Sequence, residues 1–591
     1  MASLRDDIIG QFELFNIKPS EAEISKCLQI CTRYNVSGED MVDQWFAYSS
    51  SELGGTAPTV AHLESLERKK FVKKTGDDQR RALGAEEHLL KELEQSENVA
   101  LGSPDRFTGI CPPDLSATPK GKHVPTTQSN TTLRSKVLDE PMDVTINTWT
   151  PCLASQSQTY SNRTDALSVC CSYGTSKTNF QSSKLDLTVK PLYEDILNAS
   201  QPIMFEILQN RAASVNSLVE DLFVAIRYKY NLNAPGEVYK DDIFGNNVIL
   251  YGRILSEAGG RPTPDTVRLE QTQAFKGQVV ALNLTKMTKY SIYPGQVVAV
   301  KGAYVKGGPS GDKLVAEEIF ADTDFKFAPE PPLTEGTLQM VIACGPFTGQ
   351  DNLAFDPLTD LLQYVSKCKP NVLLLVGPFY EITHPGICNN ELLQTFNDLF
   401  VDIINSIMKE VPAETQVVIV SSSREPHHFP VYPTLPYEVV TQYDNLTFMP
   451  DPCLVKVNGV VIGATSADVL FDLGRVELHV DKVGASRPDR MGRLISHLLK
   501  QQSFYPLDLL GEDFVVDYSL MEEHGVMTVK PHVMILPSNL KHLIKEIDGC
   551  LVINPERLTK GFGGGCFALL EISAGTTETI CGRSACQVLK I

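Results

Sequence analysis

Several things are scarce in this sequence. No run approaches the roughly 18 to 20 consecutive apolar residues that span a bilayer; the longest, such as Val372 to Val376, have the length of a strand. Tryptophan occurs twice in 591 residues, and the 14 cysteines never fall in a Cys-x-x-Cys pair. Spacings such as Cys27/Cys31 and Cys581/Cys586 therefore read as buried free thiols, with a structural zinc site the lesser reading. Positive charge is also in short supply. Lys and Arg total 53 against 72 Asp and Glu, a net charge of -19, so a surface that sheathes phosphate backbone everywhere is excluded and only a local basic groove remains open. The opening MASLRDDIIGQFELF carries acids early and has no basic, apolar, small-residue signal pattern, so the chain is expected on the reducing side.

What is present suits a large folded protein. Hydrophobic residues make up 42% and charged residues 21%, near the averages for globular chains, and the length suggests about four domains.

Residues 1 to 75 read as a small helical docking domain. Leu4, Ile8, Phe12 and Phe15 recur at helical spacing, as do Ile24, Cys27, Leu28, Cys31 and Tyr34 after a Ser20-x-x-Glu23 capping box. A second box, Ser37-x-x-Asp40, opens a helix with Met41, Val42, Trp45 and Phe46, and Thr59 can cap a fourth bearing Leu63 and Leu66. No polar cluster sits at the centre, so the expected use is binding. The basic run ERKKFVKK, Glu67 to Lys74, suits either an import signal or a solvated helix end.

Residues 76 to 195 are rich in Ser, Thr, Pro and Asn and read as a flexible linker, because such composition buries too little apolar surface to offset backbone entropy. Ser103, Thr118 and Thr150 each precede proline and are candidate phosphorylation sites. Residues 196 to 232 return to helical periodicity. From 233 to 330 the period becomes two, and five short strands separated by Gly/Pro turns predict a small closed barrel of the OB type. There Tyr251, Tyr290 and Tyr293, with Lys286, Lys289 and Lys301, offer the residue types of a single-strand-binding groove. Residues 331 to 591 alternate strands and helices. LQMVIACG, NVLLLVG, TQVVIVSS and HVMILPS are strand cores, and loops at their carboxyl ends are the expected place for chemistry.

These strand ends resemble the loops of the calcineurin-like metallophosphoesterase fold, in which Asp-x-His, Gly-Asp, Gly-Asn-His and late histidines hold two metal ions that activate water and clamp phosphate. Here the corresponding loops read Cys344-Gly345-Pro346-Phe347, Gly377-Pro378-Phe379, Ser421-Ser422-Ser423-Arg424 and Pro537-Ser538-Asn539. On this reading Cys344, Gly345, Phe347, Pro378, Ser422, Ser423, Arg424, Ser538 and Asn539 mark a degenerate former metal site. No catalytic residue, metal ligand or cofactor is expected there. His384, His427 and His428 lie nearby; the pair could hold a single metal but reads first as hydrogen-bonded loop residues, with Arg424, Glu425 and His427 a cluster that holds the loop. Lys560-Gly-Phe-Gly-Gly-Gly565 lacks the Gly-Lys-Ser/Thr ending of a P-loop and reads as a tight turn.

An OB barrel ahead of a phosphoesterase-like domain without metals is similar to the B subunits of eukaryotic replicative DNA polymerases. The stretches that carry the likeness, and point to the alpha branch, are Val341 to Phe347, Phe355 to Leu358, Leu375 to Phe379, Ser423 to His428 with Val431 to Pro433, and Ile553 to Gly561. The resemblance implies a multidomain α+β protein without enzymatic activity: a regulatory scaffold in the nucleus. It would bind the zinc-bearing C-terminal domain of the catalytic subunit of DNA polymerase alpha, and the primase subunits within the same complex. Its N-terminal domain would engage replisome or viral replication proteins, with direct DNA contact weak or absent. A metal-dependent phosphoesterase and an OB-fold single-strand-binding module are the rival readings.

Overall fold

The computed structural model describes residues 2–14, 17, 19–34, 36–38, 41–42, 44–45, 48–49, 58–68, 158–174, 185–193, 196–232, 246–257, 261–273, 277–308, 311–328, 332–482, 489–507, 515–575 and 579–591. The chain divides into two units, residues 1–60 with 151–591, and residues 61–150. Ser103, Thr118, Thr150 and the basic residues from Lys69 to Lys74 lie outside the described residues.

The first helices follow their punctuation. Ala2–Leu14 and Glu21–Tyr34 are helical, and Glu23 Oε2 accepts from the Ser20 backbone N–H at 2.6 Å, one half of a capping box. Ile8, Phe12, Ile24, Cys27, Ile30, Cys31 and Trp45 are buried, so the apolar faces read from spacing do form a core. Phe15 and Phe46 lie outside the described residues.

Strands Asn246–Ser256, Val267–Glu270, Val279–Asn283, Gly311–Phe320 and Val297–Gly308 close, in that order, into a barrel. Closure comes through a parallel pairing of Val279–Asn283 with Gly311–Phe320. Val248, Leu250, Ile254, Leu269, Leu282, Val298, Val300 and Leu314 fill the interior, and alternation along each strand puts their neighbours outside. Gly252 and Gly302 are forced by strand approach, since a Cβ on either would sit 2.1 Å from a carbonyl oxygen, that of Glu270 or Val315. Helix Leu208–Tyr230 packs on the outside, with Phe223 stacked on Tyr251 at 3.6 Å between ring centres.

Beyond the barrel, two sheets face each other. The first has the order Val169–Tyr173, Ser584–Lys590, Cys566–Ser573, Thr337–Cys344, Val372–Val376, Gln416–Val420, Leu446–Met449, and its last four strands are parallel. The second runs Leu543–Ile547, Cys550–Asn554, Val533–Ile535, Val460–Ala464, Cys453–Val457, Val189–Pro191. Strict alternation builds two cores from one sheet. Met340, Ile342, Leu374, Val376, Val418 and Val420 point into the sandwich and meet Val455, Ile462, Val533 and Ile553. Val341, Leu373, Leu375, Val417 and Ile419 point outward onto Leu361, Val365, Phe400 and Ile404 of helices Asp356–Cys368 and Phe396–Glu410. The latter helix starts where Thr395 Oγ1 accepts from Asp398 N–H.

One difference from the sequence reading matters. Val169–Tyr173 and Val189–Pro191, placed within the flexible linker by composition, are edge strands of the two sheets. They are five and three residues long, too short to show a period, and their backbone groups are paired by the sheets they join. The strand core HVMILPS lies in the sheet opposite the other three, so its terminal loop meets theirs across the sandwich.

The barrel and the sandwich are joined by a buried polar seam. Lys289–Ile292 pairs antiparallel with Leu478–Asp481, and Gln501 bonds both Val297 backbone groups and the Ala321 carbonyl. Glu477, 3% exposed, accepts from Arg493 Nε at 2.6 Å and Nη2 at 2.9 Å, from Ser291 Oγ at 2.5 Å, and lies 3.1 Å from His497 Nε2. Burial alone would raise this carboxyl, but the bonds from His497 and Arg493 overcome it and hold the group well below the carboxylate range.

Candidate functional site

Four strands of the sandwich end close together, and their ladders continue into the loops. Gly345 N–H donates to Val376 O at 2.8 Å, Gly377 N–H to Val420 O at 2.9 Å and Phe347 N–H to Phe379 O at 2.9 Å. A Cβ on Gly345 would sit 1.6 Å from Pro378 O, so only glycine allows this approach. Phe347 and Phe379, both fully buried, stack at 4.8 Å. The first two loops are thus joined by a dry aromatic contact. Cys344 is buried beside them, and burial pushes its thiol up to about 12, far from a nucleophile.

The third loop is held from below. Glu425 accepts from Phe379 N–H at 2.6 Å, Tyr380 N–H at 3.4 Å and the Tyr437 hydroxyl at 3.1 Å, and burial raises its carboxyl to about 8 despite those bonds. Arg424 Nη1 donates to Glu381 at 2.7 Å. Ser423 is half-buried. Ser422 Oγ lies 2.9 Å from Ser466 Oγ, which also bonds Asp451 Oδ2 at 2.5 Å. Asp451 is fully buried, which lifts it to about 6 against the bonds from Ser466. In the fourth loop Ser538 N–H donates to Asn554 and Asn539 N–H to Asp468 Oδ2 at 2.7 Å.

A guanidinium occupies the middle. Arg557, 1% exposed, donates from Nη1 to the carbonyls of Gly345 at 3.3 Å and Ser466 at 3.5 Å, and its Nη2 is 3.9 Å from Asp468. Its Nε and Nη2 have no hydrogen-bond acceptor. Burial and the neighbouring Arg424 lower it to about 10, which still leaves it charged at neutral pH. The positive charge at these strand ends belongs to the chain itself. Among the described residues, no trio of His, Cys, Asp or Glu ligand atoms from these four loops converges.

The nearby histidines are engaged elsewhere. His384 Nε2 is 2.8 Å from Gly349 O, while its Nδ1 accepts from Gly386 N–H. His427 stacks on Phe400 at 4.1 Å and burial depresses it to about 3; His428 Nε2 lies 2.8 Å from Leu435 O. The two rings are tilted, with centres 5.9 Å apart, and belong to no trio of metal-binding atoms among the described residues. Glu425, grouped with Arg424 and His427 from sequence, does hold the loop, but through Tyr437 and backbone N–H groups. Thr559–Lys560 and Gly563–Gly564 pair as a small hairpin, so the glycine run is a turn. In the barrel, Tyr251, Tyr290 and Tyr293 are all buried, with exposures of 6%, 8% and 0%, and Lys286 and Lys289 face Glu317 and Asp481. Those tyrosines offer no platform for stacked bases.

Asp451, Ser466, Asp468 and Arg557 were not among the residues singled out from sequence. Each follows a strand: Leu446–Met449, Val460–Ala464 or Cys550–Asn554. The strand-end rule would have found them had those strands been assigned.

Comparison with known proteins covers most of the chain. The family model for the B subunit of DNA polymerases alpha and epsilon matches residues 340–545, that for the N-terminal region of the DNA polymerase alpha B subunit matches 6–73, and that for the OB domain of the same B subunit matches 213–322. A protein of Drosophila melanogaster, named as the B subunit of DNA polymerase alpha, is 30% identical over 633 residues, covering 100% of both chains. The Mus musculus protein of that name is 29% identical, covering 97% of this chain and 96% of its own. The one from Schizosaccharomyces pombe is 28% identical over 396 residues, 63% of this chain and 67% of that one.

Proposed function

Given that the chain belongs to the family of DNA polymerase alpha B subunits, we propose that it is a non-catalytic scaffold of a polymerase alpha–primase assembly. Its α/β domain derives from a calcineurin-like phosphoesterase whose metal ligands have been replaced. The observation that supports this reading is Arg557: a guanidinium, 1% exposed, lies buried among the strand-end loops and donates to the Gly345 carbonyl. Proline at 378, serine at 422 and asparagine at 539 supply neither the bridging carboxylate nor the imidazoles that such ions need.

The scaffold works as a joined body. With the barrel fixed to the sandwich through Glu477, Arg493, His497 and Gln501, the two present one continuous surface to the C-terminal domain of a catalytic subunit. The N-terminal helices, carried on their linker, gain effective concentration for replisome or viral proteins. Phosphorylation at Ser103, Thr118 or Thr150 would change the charge of that linker. The assembly would act in the nucleus, in primer synthesis at origins and on the lagging strand. No helix among the described residues is long and apolar enough to cross a membrane.

The test is reconstitution. Co-expressed with a polymerase alpha catalytic chain and primase, the protein should co-purify through residues 158–591, which include the edge strands of both sheets, and a truncation lacking 1–75 should keep that association. It should not hydrolyse bis-nitrophenyl phosphate with manganese. Failure to co-purify, or manganese-dependent turnover, would overturn the reading.

A further inference from the structure

The cysteines show no metal-binding spacing along the chain, yet the fold brings two of them to one histidine. Cys170 and Cys566 have their Sγ atoms 3.9 Å apart, and a ring nitrogen of His542 completes a trio whose ligand atoms all lie within 4.8 Å of one another. Among the described residues it is the only such trio. We infer that Cys170, Cys566 and His542 form a Zn2+ site with water in the fourth position.

The geometry favours a metal over a disulfide. Zn–S bonds of about 2.3 Å set the edge of a tetrahedron, and hence the S···S separation, at roughly 3.8 Å. Cys170 and Cys566 belong to strands on opposite sides of Ser584–Lys590: Val169 and Cys171 pair with Leu589 and Val588, and Cys566 pairs with Lys590. Cys170 lies at the register shift between Val169 and Cys171, so the two thiols meet from strands that are not neighbours in the sheet. Their Sγ separation of 3.9 Å is that of two ligands on one ion, not of a bonded pair.

His542 is oriented for the task. Its Nδ1 lies 2.8 Å from Glu556 Oε1, and Glu556 Oε2 lies 2.9 Å from Lys560 Nζ. A carboxylate held by a lysine accepts and so fixes the orientation of the ring, the arrangement in which an outer carboxylate positions a metal-binding histidine. Two thiolates and an imidazole select zinc over magnesium or manganese. Cys566 is buried, whereas Cys170 is half-buried and gives access from solvent. The ion would fasten the Val169–Tyr173 edge strand to the end of the sheet.

The test uses the full chain, expressed without partner chains and purified without chelators, so that any metal is its own. Elemental analysis should find about one zinc per chain, and exchange with Co2+ should give thiolate-to-cobalt absorption. Cys170→Ser, on a half-buried edge strand, should lower bound zinc by roughly ten-fold or more with an unchanged circular dichroism spectrum, while Cys388→Ser keeps the metal. Zinc-free protein that also gives no cobalt band, zinc retained in Cys170→Ser, or a Cys170–Cys566 disulfide in peptide maps would each overturn the inference.

Discussion

Two buried charged clusters in this molecule are built from similar residues and satisfied to different degrees. At the seam, Glu477 takes bonds from Arg493, Ser291 and His497 and is held well below the carboxylate range. At the strand ends, Arg557 makes two long bonds to carbonyls, leaves Nε and Nη2 without acceptors, and sits 3.9 Å from Asp468. A fully bonded cluster is expensive to break, whereas a half-bonded one contributes little beyond filling space and setting the local charge. The seam is therefore structural, whereas the strand ends enclose a cation, Arg557, that is only partly bonded.

The contrast can be broken by substitution. Glu477→Ala has the largest expected effect, because it leaves the half-buried Arg493, the Ser291 hydroxyl and the buried His497 without their shared carboxylate; it should destabilise the folded state by about 3–5 kcal/mol in denaturant unfolding. The two clusters should also respond to pH in opposite directions. Glu477, depressed when folded, contributes stability that is present above its ordinary value of 4.5 and is lost as pH falls through the lower folded value. Glu425, raised to about 8 by burial, contributes stability that is complete below 4.5 and is lost as pH rises through 8. Glu425→Gln should flatten the decline between those limits, and a decline of wild-type size in that variant would assign it to another group. Arg557→Met should have the smallest effect, within about 1 kcal/mol of wild type or slightly stabilising, because Asp468 keeps the backbone donors of Phe471 and Asn539. A loss as large as that of Glu477→Ala would mean the two clusters are alike.

Much of this architecture was legible from periodicity. The barrel strands from Asn246–Ser256 to Gly311–Phe320 and the cores at 337–344, 372–376 and 416–420 stand out because alternation or continuous apolar runs persist over at least four residues. Val169–Tyr173 and Val189–Pro191 did not, since short edge strands in Ser/Thr-rich surroundings are defined by their partners. The candidate site was half legible. Its four loops were identified because each follows an apolar strand core, where an α/β domain places its chemistry. Arg557 was not, because a buried arginine looks like a surface one until the fold encloses it, and Cys170, His542 and Cys566 meet only through sheet order.

On the proposed scaffold reading, the strand ends hold the chain's own cation, Arg557, in place of a metal pair. Anomalous scattering from crystals of the full chain soaked in manganese measures this directly. The account predicts no manganese among Gly345, Pro378, Ser422, Asp451 and Asp468, with Arg557 in place; two bridged manganese ions there, with Arg557 displaced, would contradict it.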